Sequence, residues 1–292
     1  MQSQKLGEGL YWIGALDPSL RVFDIIMHTE FGTTYNAYMI KGTQKTALVE
    51  TVKARFGDEY LATIEKLVPV GEIDYLIVNH TEPDHAGSVE MLLDRNPSLQ
   101  VVGTATAIGF LREIVNRDFR HLKVGEGDVL DLGGRTLRFL PLPNLHWPDT
   151  MYTYVPEEHV LFTCDSFGAH FSHEGVLRST VTDEEGYWRA VKYYFDNIIG
   201  PYKDPYMLRA LEAIRDLPID MICTGHGPVL DSHIEEIRAR YAEWCRPAEG
   251  RTRKTVVIPY VSAYGYTRQI AERIAAGIAA SIRCLLYTSP SP

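Results

Sequence analysis

The four cysteines, Cys164, Cys223, Cys245 and Cys284, form no C-x-x-C pair. No apolar run approaches the roughly 18 residues of a membrane span, and positive charge is in deficit. Each absence excludes something. Without paired cysteines neither a thiolate zinc site nor a disulfide framework is expected, and buried reduced thiols suit a reducing compartment. The opening "MQSQKLGEGLYWIG" has no charged stretch leading into an apolar one, so no secretory leader is expected. The expected location is cytoplasmic, with no membrane contact. Lys and Arg number 29 against 38 Asp and Glu, a formal net charge of -9, and the bases are scattered. A nucleic-acid partner, which needs a basic face, is therefore not expected.

What remains is an ordinary globular composition, 45% apolar and 23% charged over 292 residues. That length suits one large cored domain and part of a second. The first fifty residues alternate in strand fashion, in "LYWIGAL", "FDIIMHTEF", "TTYNAYMIKG" and "KTALVET". Apolar residues then recur at three and four in "RFGDEYLATIEKLV", a helix. Further alternation of strands and helices predicts an α/β fold in which helices flank a sandwich of two sheets. Two tyrosine-rich helices, "GYWRAVKYYFDNII" and "PYMLRALEAIRDL", precede the strand "DMICTG". A polar stretch over 246–254, "RPAEGRTRK", reads as a linker after a domain over 1–245. A second strand, turn and helix follow over 255–280.

The densest chemistry lies at 79–87, "NHTEPDHAG", where the apolar strand "YLIVN" ends. His80, Glu82, Asp84 and His85 crowd together, and Pro83 in their midst predicts a loop rather than a helix. Three more metal-ligand types follow short apolar strands: His146, Asp165 and His226. Four imidazoles and three carboxylates exceed what one ion takes and suit two ions about 3.5 to 4 Å apart. Imidazole with carboxylate and no thiolate accommodates iron, manganese or zinc. His28, His121, His159 and His233, each alone, read as structural.

The spacing His80-x-Glu82-x-Asp84-His85, with His146, Asp165 and His226 after it, resembles the metallo-β-lactamase superfamily across 1–245. Its dizinc hydrolases carry histidine where this chain has Glu82, and its flavodiiron proteins carry glutamate. The resemblance to flavodiiron proteins implies an αββα sandwich. It also implies His80, Glu82 and His146 on one iron, Asp84, His85 and His226 on the other, and Asp165 bridging. Glutamate in place of histidine adds negative charge and favours the ferric state.

Between the second strand and its helix lie Ser262, Ala263, Tyr264, Gly265, Tyr266 and Thr267, which resemble the phosphate loop that holds FMN in flavodoxins. The chain is thus expected to carry the first strand and helix of a flavodoxin-like domain. The stretch over 281–292, with "RCLLYTSPSP", fits neither the expected second strand nor its loop, and reads as a truncated or non-native tail.

The family resemblance implies reduction of O2 to water or of NO to nitrous oxide at two irons. Electrons would come from FMN in the full-length protein and from rubredoxin or a similar carrier. A head-to-tail homodimer, or a tetramer, would bring a partner's flavin toward His146 and Trp147. His170, His173 and Tyr193 are further candidates for hydrogen bonds or proton delivery. Two other readings are a dizinc hydrolase of thioesters or lactones and a non-enzymatic diiron oxygen sensor.

Overall fold

The computed structural model describes residues 2–247, 254–281 and 284–290. It divides into two units, Met1–Cys245 and Arg246–Pro292.

The first unit is built on two sheets. The seven-stranded sheet runs in the order Gln4–Gly7, Leu10–Trp12, Tyr38–Lys41, Thr46–Val49, Tyr75–Ile77, Gln100–Gly103 and His121–Lys123. Its first strands pair antiparallel, and from Thr46–Val49 onward pairing is parallel, with helices in the connections. The five-stranded sheet runs Val129–Asp131, Thr136–Pro141, Met151–Val155, Val160–Cys164 and Met221–Thr224, with only the last pair parallel.

Strand side chains alternate between faces, and the core divides accordingly. Tyr38, Ile40, Ala47, Val49, Ile77 and Val102 of the larger sheet meet Leu137, Phe139, Met151, Val155, Val160 and Phe162 of the smaller one in a single buried layer. Their neighbours Met39, Leu48, Leu76 and Val101 face the other way and pack on Tyr60, Ile64, Leu92, Ile108 and Leu111. Tyr152, Tyr154, Leu161 and Ile222 likewise cover Tyr187, Val191, Tyr194, Ile237 and Tyr241. This is the expected αββα sandwich.

Two local expectations are corrected. The segment read as one strand through "FDIIMHTEF" is a short hairpin, Val22–Phe23 paired with Met27–His28, turning through Asp24 and Ile25 at positive φ. Pro83 does not exclude a helix: Pro83–Ala86 is one helical turn with the proline at its start, where an N–H would be unpaired in any case and the fixed φ suits the helix.

In the second unit Lys254–Tyr260 is a strand and Tyr266–Ser281 a helix. The expected linker lies mostly outside the described residues. In the tail the Cys284–Pro290 backbone forms a strand parallel to Lys254–Tyr260 from Lys254↔Cys284 to Tyr260↔Pro290. Seven residues in register with a neighbouring strand satisfy ladder hydrogen bonds that a loose tail would leave open.

Candidate metal centre

Every element of the site leaves the carboxyl end of a strand. Tyr75–Ile77 leads to His80, Thr136–Pro141 to His146, Val160–Cys164 to Asp165 and Met221–Thr224 to His226. The loop after Tyr75–Ile77 is held through its backbone. Asn79 N–H donates to Glu50 Oε1 and Thr81 N–H donates to Asp149 Oδ2, each at 2.8 Å. The turn Pro83–Ala86 is fixed from outside by the Thr51 backbone N–H and hydroxyl, both on the His85 carbonyl at 2.8 and 2.6 Å. A Cβ at Gly225 would meet His85 Cε1 at 2.7 Å and Asp165 Oδ1 at 3.2 Å, so this position admits no side chain without moving the site.

All seven sequence-predicted groups converge. His80, Glu82, His146 and Asp165 place one polar atom each within 4.8 Å of one another, and Asp84, His85 and His226 form a second such group. In the first, Glu82 Oε2 lies 2.9 Å from His146 Nε2 and 3.2 Å from His80 Nε2. In the second, Asp84 Oδ2 lies 3.1 Å from His226 Nε2. Asp165 divides its oxygens between them. Its Oδ2 is 3.0 Å from His146 Nε2 and 3.5 Å from His80 Nε2, while its Oδ1 is 3.0 Å from His85 Nε2 and 3.7 Å from His226 Nε2.

The electrostatics follow from this crowding. Burial alone would pull His85 and His146 down. The Asp84 and Asp165 carboxylates outweigh it at His85, and Asp165 and Glu82 at His146, so both imidazoles are pushed up to about 9. Burial likewise opposes ionisation of Asp165, yet the facing His85 and His146 hold its carboxyl well below the usual range. Buried Asp84 has no hydrogen-bond partner at Oδ1, and its Oδ2 meets only ring nitrogens, of His226 at 3.1 Å and of His85 at 3.6 Å. Unpaired carboxylate oxygens are costly in a protein interior unless something positive meets them. Four imidazole nitrogens and three carboxylates aimed into a common space are a hard-to-borderline donor set for two divalent or trivalent ions. The residues therefore fit a dinuclear metal group.

The remaining candidates are spread around the cluster. His170 is buried beside His226, ring centroids 5.1 Å apart, with Nδ1 2.9 Å from the Thr33 hydroxyl. Burial and the nearby His226 hold its imidazole well below the ordinary value. Tyr193 is not at the centre. It is 39% exposed and lines a surface cavity of about 410 Å³ with Arg21, Phe31, Arg189 and His170. Its neighbour Tyr194 is the inward one, 1% exposed with its ring 4.9 Å from His170 and 5.9 Å from His226. Successive helical residues point about 100° apart, so adjacent tyrosines face different surroundings. His173 lies away from this cluster, its Nε2 2.8 Å from the Thr180 hydroxyl. Trp147 sits edge-on to His80 at 5.3 Å and to Phe110 at 6.4 Å.

Sequence reasoning missed Glu50 and Asp149. Both are buried carboxylates beside site histidines. The only linear signal for Glu50 was a charge closing the apolar strand "TALVE". Ser262, Ala263, Tyr264, Gly265, Tyr266 and Thr267 do bridge strand and helix, with Gly265 at φ +81° and Arg268 N–H on Ser262 Oγ at 3.2 Å.

Comparison with known proteins places this architecture. The family model described as "ODP family beta lactamase" matches residues 33–227. Flavo-diiron protein FprA2 of Clostridium acetobutylicum is 40% identical over 282 residues, covering 95% of this chain and 70% of that protein. Type A flavoprotein fprA of Rhodobacter capsulatus is 40% identical over 284 residues, covering 94% of this chain and 63% of that protein. Among solved structures, rubredoxin oxygen:oxidoreductase from Desulfovibrio gigas superposes with a TM-score of 0.80 at 28% identity, over 99% of this chain and 72% of that one. The chain thus spans roughly two thirds of these proteins. With a matched family model over most of its length and this degree of identity, the chain belongs to the flavodiiron protein family.

Proposed function

We propose that the chain is the diiron-holding part of an oxidoreductase that reduces O2 to water or NO to nitrous oxide. Two irons held there would supply electrons and open coordination positions for the gas. His80, Glu82 and His146 would hold one ion and Asp84, His85 and His226 the other, with Asp165 shared. The observation that carries this reading is the division of Asp165, one oxygen toward each group. Glu82 weighs against the hydrolase reading, because a carboxylate facing both His80 and His146 adds anionic charge suited to a ferric ion.

The residues' own work is binding, positioning and exclusion of water. His80, His85, Asp165 and His226 are at most 2% exposed, so the gas would meet a dry site from the side of Glu82 and His146. His170 and Tyr194 border the His226 side, and the Tyr194 phenol stays protonated because burial and Asp165 push it well up.

Residues 1–245 are the proposed diiron domain, with 255–280 opening a flavodoxin-like one. FMN phosphate would be taken by Ser262, Ala263, Tyr264, Gly265, Tyr266 and Thr267, whose backbone N–H groups precede a helix. A rubredoxin-type carrier would reduce the flavin. A head-to-tail homodimer or tetramer would bring a partner's flavin to His146 and Trp147. Among the described residues no helix is long and apolar enough to cross a membrane. Buried thiols at Cys164, Cys223 and Cys245 support a cytoplasmic setting.

The test is iron analysis of protein purified from iron-replete cells, followed by anaerobic mixing of the chemically reduced protein with each gas. About two irons per chain, and product formed over repeated turnovers, is the expected result. Zinc alone, with no iron taken up on reconstitution, would overturn the redox reading. Reversible O2 binding without turnover would favour a sensor.

A further inference from the structure

Among the buried polar atoms around the centre without a hydrogen-bond partner are His80 Nδ1, His85 Nδ1, Asp149 Oδ1 and Glu50 Oε2. Each of the two histidines has one of these carboxylates beside it. Asp149 Oδ1 lies 3.6 Å from His80 Nδ1. Glu50 and His85, with Cys164, offer ligand-type atoms within 4.8 Å of one another. The remaining oxygens are already committed, Glu50 Oε1 to the N–H of Asn79 and Asp149 Oδ2 to the N–H of Thr81. The two carboxylates therefore grip the backbone on either side of His80.

We propose that Glu50 and Asp149 are a matched pair of positioning residues. Each spends one oxygen on the loop and turns the other to the Nδ1–H of one histidine, Glu50 to His85 and Asp149 to His80. The proposal rests on the metal-centre reading above. When Nε2 gives its lone pair to an ion, Nδ1 must carry the hydrogen. A buried N–H then needs an acceptor, and beside each histidine the unpartnered oxygen supplies one. The carboxylate fixes tautomer and ring angle and makes the imidazole a stronger donor. Because His80 and His85 belong to different halves of the centre, each carboxylate serves one half. Cys164 is a poor substitute acceptor, since its Sγ lies 3.9 Å from Asp165 Oδ1 and donates toward it.

The test uses the full chain with 15N-labelled histidine and zinc as a diamagnetic probe. In the unaltered protein the Nδ1–H signals of His80 and His85 are expected downfield and protected from exchange. Glu50→Gln keeps the volume and an oxygen for Asn79 but puts an amide donor against His85. It should lose the His85 signal, keep that of His80 and weaken zinc binding roughly ten- to a hundredfold. Asp149→Asn should do the reverse. Glu50→Asp, which restores the carboxylate, should recover part of the affinity. Unchanged signals and affinity in both amide variants would overturn the proposal, as would equal loss of both signals in either folded variant. If Glu50→Gln does not fold, ordinary, rapidly exchanging Nδ1–H signals in the unaltered protein would still overturn it. Failure of the unaltered chain to bind two ions would instead overturn the metal-centre reading.

Discussion

The two units of this chain solve the same problem unequally. In the first, polar groups that would be costly to bury sit at the end of a complete sandwich, and His80, His85 and Asp165 are at most 1% exposed. In the second, the loop proposed for a phosphate sits on a strand and helix whose apolar groups face solvent. Val257, Val261, Ile270 and Ile274 are 48 to 69% exposed, Tyr264 is 88% exposed, and Ala271 is the one core residue there among those described. A metal site needs neighbours only a few ångströms away and can be finished by strand ends from one domain. A flavin pocket must cover a large ring, which two strands and one helix cannot do.

The largest effect expected from this contrast is on metal content. Asp165→Ala removes the group facing all four imidazoles and should take the iron count from about two per chain to one or none by elemental analysis. Ser262→Ala in the second unit should leave the count untouched, and so should His159→Ala, whose partner is surface Asp220. An equal loss in Ser262→Ala would show that the units are not independent in this respect, and an equal loss in His159→Ala that the effect is not specific to the site.

Stability should divide the same way. Leu111→Ala empties a fully buried position under the larger sheet and should cost about 2 to 5 kcal/mol in a denaturant titration. Ile270→Ala on the exposed helix should stay within about 0.5 kcal/mol. For the same reason FMN added to this chain should bind weakly and raise the melting temperature little, because phosphate contacts leave the ring in water. Near-stoichiometric flavin in the purified protein would refute that.

The pH dependence of metal binding sharpens the comparison further. Without metal, His85 and His146 are held up at about 9 by facing carboxylates, so at neutral pH both carry protons that an incoming ion must displace. Raising the pH toward 9 removes that competition, and lowering it strengthens it. Metal affinity should therefore climb from pH 6 to 9, with protons released on binding measurable by calorimetry in buffers of different ionisation enthalpy. Affinity flat across this range would mean that the imidazoles are already neutral.

What could be read in advance was what is local. His80, Glu82, Asp84 and His85 fall within six residues, and a buried strand followed by a ligand-type residue marked His146, Asp165 and His226. Face alternation in the strands gave the two sheets. Pairings distant in sequence escaped: Glu50 reaches Asn79 across 29 positions and Asp149 reaches Thr81 across 68. The hairpin at 22–28 also escaped, since its turn uses Asp24 and Ile25 at positive φ rather than the glycine or asparagine that usually marks one. The choice between Tyr193 and Tyr194 depended on the rotation of a helix that continues into a wider turn over Phe195–Ile199.

That choice carries the smallest expected effect. Tyr194 lies within ring contact of His170 and His226, and its phenol is the only hydroxyl that separates it from phenylalanine. Tyr194→Phe keeps the packing that fills the space beside the centre, so iron content and melting temperature should not change. Turnover with the gas should fall roughly two- to tenfold, the worth of one ordinary hydrogen bond. Tyr193→Phe, on the half-exposed side of the same helix, should be silent in all three measurements. The paired comparison cancels effects of helix propensity, because the same substitution is made at adjacent positions. A loss at position 193 and none at 194 would place the functional face of the helix on the outer cavity, which reaches the centre through His170, rather than on the buried side that meets His226 directly.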